Sequence, residues 1–394
     1  MTALSVVLFA LSCMVLLVWS SRHFLIALER RKALVLTEQC PGPPEPAPRI
    51  SVVVAAKDEQ DNIEGCVRTM LDQDYPDFEV VVCNDRSEDL TGQIVQAISD
   101  ENPLLRLVNI EHLPEGWCGK NNAMQTGIAS TDGEWICMVD ADCRQTSRRT
   151  LSTAMQYASD NNADLLSVLP NLEMKGFWEN AIQPVCSGVM MIWFYPDKVN
   201  SADKPNAYAN GAFMLIKRSA YEAIGTHESV KDQVNEDMHM AARIKQAGLR
   251  LQVIRNQGLY LVRMYTSLRQ IVRGWSRIFY GTFGTVKRLT VSLLVLALMG
   301  VVPYVAAAVG FVALAWPLAS SWHLACGTAG TLAIAMQISV IYRFYALIGA
   351  RKWLAWTYVI GCAAAMLSVA IALTKLRKGA VLTWRGTSYS SQGD

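Results

Sequence analysis

Residues 2–19 read TALSVVLFALSCMVLLVW, an uncharged apolar stretch, and three more apolar runs occupy 289–317, 324–342 and 353–374. Runs of this length match the hydrocarbon core of a bilayer. The stretch between them, 50–260, has ordinary globular composition. A chain built this way must divide into membrane-embedded ends and a folded middle. The whole is 52% hydrophobic and only 18% charged, too apolar for an ordinary soluble protein. The charges mark the orientation. Arg22, Arg30, Arg31 and Lys32 follow the first run, and Arg263, Arg269, Arg273, Arg277, Lys287 and Arg288 precede the second. Positive residues beside spans stay on the cytoplasmic side, which predicts an outside N-terminus and an inside middle. The same location argues against nucleic acid as the partner of these basic clusters. No Lys or Arg precedes the first run, whereas a cleaved secretory leader carries a basic start. The ten cysteines include no CxxC pair, so neither a zinc site nor a disulfide framework is expected, and a reducing compartment is.

Within the middle, ISVVVAA (50–56), FEVVVCND (78–85), LRLVNI (105–110) and EWICMVD (134–140) have the length and β-branched content of buried parallel strands. EQDNIEGCVRTMLDQ (59–73), LTGQIVQAISDE (90–101) and GKNNAMQTGIAS (119–130) keep helical spacing between them. The alternation predicts an α/β class with a doubly wound, mostly parallel sheet. A helix after 151, strands over 163–170 and 211–218 and a helix over 236–248 complete it. CPGPPEPAPR (40–49) is a spacer that cannot be helix or central strand. The basic and aromatic mixture of 259–289 suits a helix in the membrane interface. The expected divisions are an N-terminal anchor (1–22), a basic, proline-rich linker (23–49), a globular domain (50–260), interfacial amphipathic helices (261–288), transmembrane segments (289–374) and a polar tail (375–394).

WICMVDADCR (135–144) is an apolar run that stops at two aspartates. In open α/β sheets, ligands bind outside the carboxyl ends of the strands. Asp85 ends the second strand, Asp140 and Asp142 the fourth, and Asp58 and Glu59 follow the first, so all of them can face one crevice. An acid at one strand end is an ordinary turn residue; acids at three are a set. Paired carboxylates suit a hard cation, Mg²⁺ or Mn²⁺. Lys120 starts a helix, where backbone N–H groups favour phosphate. Together they suit a nucleotide-diphosphate site.

The order and spacing of ISVVVAAKDEQDNI, VVVCNDRSED, GWCGKNNAMQTG, MVDADCR, ANGAFMLIKRSAYEAIG, VNEDMHMAARIKQAG and RQIVRGW resemble those of membrane-bound family 2 glycosyltransferases with the GT-A fold. The layout is most similar to ceramide-glucosyltransferase-like, hopanoid-associated and carotenoid glycosyltransferases. The resemblance implies an inverting transfer of a hexosyl group from a UDP-sugar to a membrane lipid at the cytoplasmic face. It implies an integral, multi-pass protein, as in a bacterial inner membrane, working in the lipid bilayer. It also implies roles. Asp58 or Glu59, with Asp85, would hold uracil and ribose. Asp140 would contact the nucleoside side, Asp142 the metal bridging the diphosphate, and Lys120 the phosphates. Gly211, in Asn210-Gly211-Ala212-Phe213, would lie beside the donor sugar, and Asp237, in NED, would be the general base. Arg273 would meet the diphosphate and Trp275 the acceptor, or both would simply anchor an interfacial helix. His227 and His239 are expected to be packed or surface residues.

Two departures carry expectations. Gly274 separates Arg273 from Trp275, where the family signature is contiguous, and this weakens the alternative of a processive polysaccharide synthase. A catalytically inactive sugar-nucleotide scaffold is the other alternative, against which the intact acids argue. The tail, with TWRGTSY, follows the basic Lys375, Arg377 and Lys378. Those charges belong inside, yet three crossings after an inside domain would put the tail outside. The conflict disappears if 289–317 is a hairpin at Pro303, or if 353–374 is re-entrant, and a cytoplasmic tail is therefore expected.

Overall fold

The computed structural model describes residues 2–32, 35–317, 319–376, 381–384 and 387–390. Contacts divide the chain into two compact units, residues 34–173 with 191–264, and residues 1–33 with 174–190 and 265–394.

The first unit is built on an eight-stranded sheet. Its order is Val35–Leu36, Leu251–Asn256, Leu165–Leu169, Phe213–Lys217, Trp135–Asp140, Ile50–Ala56, Phe78–Asp85, Leu105–Ile110. All neighbours are parallel except Phe213–Lys217, which is antiparallel to both of its partners. The central strands are apolar on both faces because both are covered. Val52, Val54, Val80 and Val82 pack toward Ile63, Val67, Met70 and Val95. Val53, Val81, Ile136 and Met138 pack toward Met124, Ile128, Met240 and Ile244. At roughly 25 cal/mol per Å² of apolar surface removed from water, this burial is the main force holding the sheet.

Register then fixes the chemistry. Ala55 is opposite Asp140 and Ala56 opposite Asn84, so Asp85 and Asp140 end flanking strands at one edge. The antiparallel strand starts at Phe213, opposite Val139, which delivers Asn210–Ala212 to that same edge. A three-stranded sheet of Cys143–Gln145, Tyr260–Val262 and Asn171–Leu172 follows directly after Asp142 and fixes the backbone there.

The second unit is helical. Four of its helices are long and apolar enough to cross a membrane: Thr2–Ile26, Val286–Ala313, Ser321–Leu347 and Lys352–Lys375. Of the two alternatives for the membrane segments, a hairpin at Pro303 is not found. Val286–Leu296 continues through a π-turn, Ala297–Val301, into Val302–Ala313. Pro303 lies in the first turn of that last piece, where a missing N–H is tolerated. The final helix, Tyr358–Lys375, packs back along Val286–Leu296. Its first turns meet Gly300, where Cys362 leaves no room for a Cβ. Its end meets Ser276, whose Oγ accepts from Lys375 Nζ (3.1 Å). Gly300 is about 21 Å along the run from Val286 at 1.5 Å per residue, so this helix covers only the first half of that run. Helix Phe177–Trp193 also belongs to this unit through its first fourteen residues. The tail forms a hairpin of Val381–Trp384 and Thr387–Ser390; Arg385 and Gly386 lie outside the described residues.

Candidate active site

Helix Gly119–Ala129 enters the sheet edge at Gly119. A Cβ there would collide with Asp85 Oδ2, so only glycine lets the helix start lie against that carboxylate. Arg86 donates to both Asp85 oxygens, at 2.8 and 3.0 Å. One residue on, Lys120 Nζ is 2.6 Å from Asp140 Oδ1 and 2.7 Å from Glu236 Oε1. Burial alone would depress the Lys120 ammonium, but Asp140, Glu236 and Asp237 outweigh it and hold it well above the usual lysine range. Asn121 pins the same helix to the segment before Glu236 by donating to the carbonyls of Val230 (2.7 Å), Lys231 (3.2 Å) and Gln233 (2.9 Å).

Helix Glu236–Gln246 opens with two acids, a favourable location for negative charge. Asp237 Oδ2 accepts from Gly211 N–H (2.9 Å) and Oδ1 from Met238 N–H (2.7 Å). A Cβ on Gly211 would come within 3.1 Å of Lys120 Nζ and 3.5 Å of Asp237 Oδ2. Burial raises the Asp237 carboxyl to about 7, and Glu236 adds to this; Lys120 and the two N–H donors pull the other way. Asp142 is likewise raised to about 7, first by burial, then by Asp140 and Glu59, with Lys120 opposing. Carboxyls that ionise near neutrality in a crevice are typical of functional sites.

Asp58 takes φ +51 at the turn after its strand. Its Oδ1 accepts from Glu88 N–H (2.9 Å), and its own N–H donates to Ser87 Oγ (3.0 Å). Glu59 N–H donates to Thr91 Oγ1 (2.8 Å). These bonds sew the first and second strand ends together. The structure thus gathers Lys120, Asp140, Gly211 and Asp237, sets Glu59 within electrostatic reach of Asp142, and leaves Asp58 on the half-exposed turn beside them.

Arg273 and Trp275 lie in the helical unit, on helix Leu268–Phe283. Arg273 is exposed. Trp275 is buried, with its ring centroid 5.4 Å from that of Phe279. Gly274 has a local cause: a Cβ there would run into the Tyr265 ring, and Arg277 Nη2 donates to the Tyr265 hydroxyl (3.1 Å). His227 is buried against the Tyr221 hydroxyl (2.8 Å); burial, then Lys120, lowers it to about 3. His239 is exposed.

The donor chemistry suits a hard divalent cation. Asp142 ionises against Asp140 and Glu59, so a cation there relieves a standing repulsion. Among the described residues no three Asp, Glu, His or Cys side chains form a cage by themselves. Magnesium-type sites that use one or two carboxylates plus substrate phosphates have that character. The residue that sequence reasoning missed is Glu236. Its only signal was a second acid at the start of a helix.

Residues 51–225 match the family model described as glycosyl transferase family 2. This stretch is a family 2 glycosyltransferase domain. The match ends before Glu236 and Asp237. A mannosyltransferase from Pyrobaculum calidifontis, solved with GDP-Man and Mn²⁺, aligns over 93% of this chain and 98% of its own, at TM-score 0.52 and 17% identity. The fold is GT-A. Probable glycosyltransferase YdaM of Bacillus subtilis is 35% identical over 97 residues, covering 24% of this chain and 23% of its own length. Beta-monoglucosyldiacylglycerol synthase of Trichormus variabilis is 24% identical over 201 residues, covering 50% of this chain and 41% of its own. The chain spans less than half the length of these two curated relatives.

Proposed function

We propose that this glycosyltransferase moves a hexosyl group, with inversion, from a UDP-sugar to a hydroxyl or carboxyl of a membrane lipid at the cytoplasmic face. The observation that carries the reading is the convergence of Lys120, Asp140, Glu236, Asp237 and the Gly211 backbone at one sheet edge. Asp237, ionised, takes the acceptor proton as the acceptor oxygen bonds to the anomeric carbon and the bond to the diphosphate breaks. Gly211 N–H holds that carboxylate in line and leaves room for the sugar. Lys120 offers its charge to phosphate oxygens, and Asp140 and Glu236 keep the ammonium aimed. Asp85, Asp58 and Glu59 line the nucleoside side, while Arg273 and Trp275 remain candidates for the diphosphate and acceptor. Asp142, with Asp140, would hold Mg²⁺ or Mn²⁺, which would supply electrostatic stabilisation of the leaving diphosphate.

The lipid acceptor is supported by four apolar helices of spanning length and by the alignment with a diacylglycerol glucosylating relative. A second reading, polymer synthesis, is favoured by an alignment of 23% identity over 202 residues with poly-beta-1,6-N-acetyl-D-glucosamine synthase of Staphylococcus aureus. Full-length protein in detergent, with Mn²⁺, lipid extract and labelled UDP- or GDP-hexoses, separates the two. One discrete glycolipid with stoichiometric UDP release is expected. A polymer ladder supports synthesis, release of GDP alone overturns the donor, and no release with any donor overturns the enzyme.

A further inference from the structure

Among the described residues, the helical unit carries its charged side chains toward one end. Residues 2–21 and 289–342 contain no Asp, Glu, Lys or Arg. The far end, where Phe9 meets Trp322 with ring centroids 5.8 Å apart and Leu8 packs with Ala306 and Cys326, therefore has no charged side chain from these runs. The opposite end is joined by a run of hydrogen bonds. Asn180 Oδ1 accepts from Arg351 N–H (2.9 Å), Gln183 Nε2 donates to the Tyr265 carbonyl (3.3 Å), the Tyr265 hydroxyl accepts from Arg277 (3.1 Å), and Ser276 accepts from Lys375 (3.1 Å). Lys352 and Lys375 bound this last apolar run, and Arg351 is tied to Asn180 and Lys375 to Ser276 by these bonds.

Among the described residues this end is rich in exposed basic side chains. The unit carries 17 Lys and Arg against three acids, Glu29, Glu179 and Asp394. Of these, Glu179 is buried and accepts from Gly176 N–H. Helix Leu268–Phe283 turns Ile271, Val272, Trp275 and Phe279 inward and packs on the last helix. Its Arg269 and Arg273, one turn apart, are exposed, as are Arg351 and Lys352. Beside them Phe177, Trp178, Trp353 and Trp356 are also exposed, Trp353 by 63%. Exposed tryptophans next to spanning helices mark the headgroup level of a membrane, and a basic cluster there attracts anionic lipid.

We propose that this end is a docking surface for anionic phospholipid headgroups, carried by Arg269, Arg351 and Lys352 within the tryptophan belt. The aromatic rim and the adjoining apolar helices favour a lipid surface over a polyanion such as RNA. The proposal does not depend on which sugar or acceptor the crevice takes.

The test uses the full chain in nanodiscs of phosphatidylcholine with an equal share of phosphatidylglycerol, followed by native mass spectrometry of the lipids retained on release. Phosphatidylglycerol should be enriched over phosphatidylcholine, and added salt should erode the preference. Arg269→Gln combined with Lys352→Gln should cut the enrichment about 30-fold, or about fivefold for each charge removed. Both positions are exposed, so the melting temperature should not change. Equal retention of the two lipids by the wild type overturns the proposal. So does a double variant with unchanged melting temperature that keeps its preference, or displacement of the lipid preference by RNA at equal phosphate concentration.

Discussion

Asp237→Asn tests the proposed base and the physical state of its crevice together. The carboxyl is raised from 3.8 to about 7 by burial and by Glu236. Transfer should therefore rise with pH through about 7 and level off above it, because the base must be ionised. Loss of the base should lower turnover by roughly 10²- to 10⁴-fold while leaving UDP-sugar affinity nearly intact. Stability runs the other way. A carboxyl with a raised folded-state pKa favours folding while it is protonated, below about 4, and that contribution is lost as pH climbs to about 7. The ceiling is ~4 kcal/mol, and partial exposure reduces it to about 2 kcal/mol. The amide, unlike the carboxylate, cannot accept from both Gly211 and Met238, which costs about 1 kcal/mol. The variant should therefore be about 1 kcal/mol more stable than wild type at pH 8.5 and no more stable at pH 5. Transfer assays, calorimetry with UDP-sugar, and thermal melts at the two pH values provide the readouts. Donor binding lost as severely as turnover would make Asp237 a donor-site residue. An unchanged stability slope would refute the account of a desolvated, repelled carboxyl.

Asp142→Asn should reduce transfer by orders of magnitude and abolish Mn²⁺ binding in the presence of UDP; near-normal turnover at saturating donor removes the metal assignment. In the wild type, Mn²⁺ affinity measured by calorimetry should increase as pH rises through about 7, because Asp142 is raised to that value. Gly119→Ala drives a Cβ onto Asp85 Oδ2 and should weaken UDP binding at least about tenfold, and an unchanged UDP titration would detach Asp85 from the nucleoside. A cysteine at Ser391, in a background cleared of accessible cysteines, should resist a membrane-impermeant thiol reagent in intact cells and react after permeabilisation. Labelling of intact cells would put the tail outside and make the last helix a true crossing.

The strands were legible because burial on both faces leaves only apolar residues. Ile50–Ala56, Phe78–Asp85 and Leu105–Ile110 have the bounds their sequence pattern predicts. Asp85 and Asp140 were legible for the same reason, as the first carboxylates after such runs. Glu236 was not, because an ion pair with Lys120 across more than a hundred residues leaves no periodic trace. Nor was the insertion of Phe213–Lys217, antiparallel, between two parallel strands, since order within a sheet is set by packing between distant segments. Helix Phe177–Trp193 was hidden by Pro184, which ordinarily ends a helix. The purpose of Gly274 became visible only with Tyr265 lying over it.

The excursion of residues 174–190 into the helical unit limits how this protein can be dissected. The chain leaves the sheet-bearing unit, contributes most of a helix elsewhere and returns before the strand Phe213–Lys217 that the sheet needs at its centre. No pair of cuts in the linear sequence yields the sheet alone. A fragment spanning 35–264 would carry Ala181, Ile182, Val185, Cys186 and Val189, all buried in the whole chain, into water as an apolar stripe. Such a fragment should aggregate or need detergent even though it lacks every helix of spanning length. A soluble version requires replacing those side chains or bridging from 173 to 191.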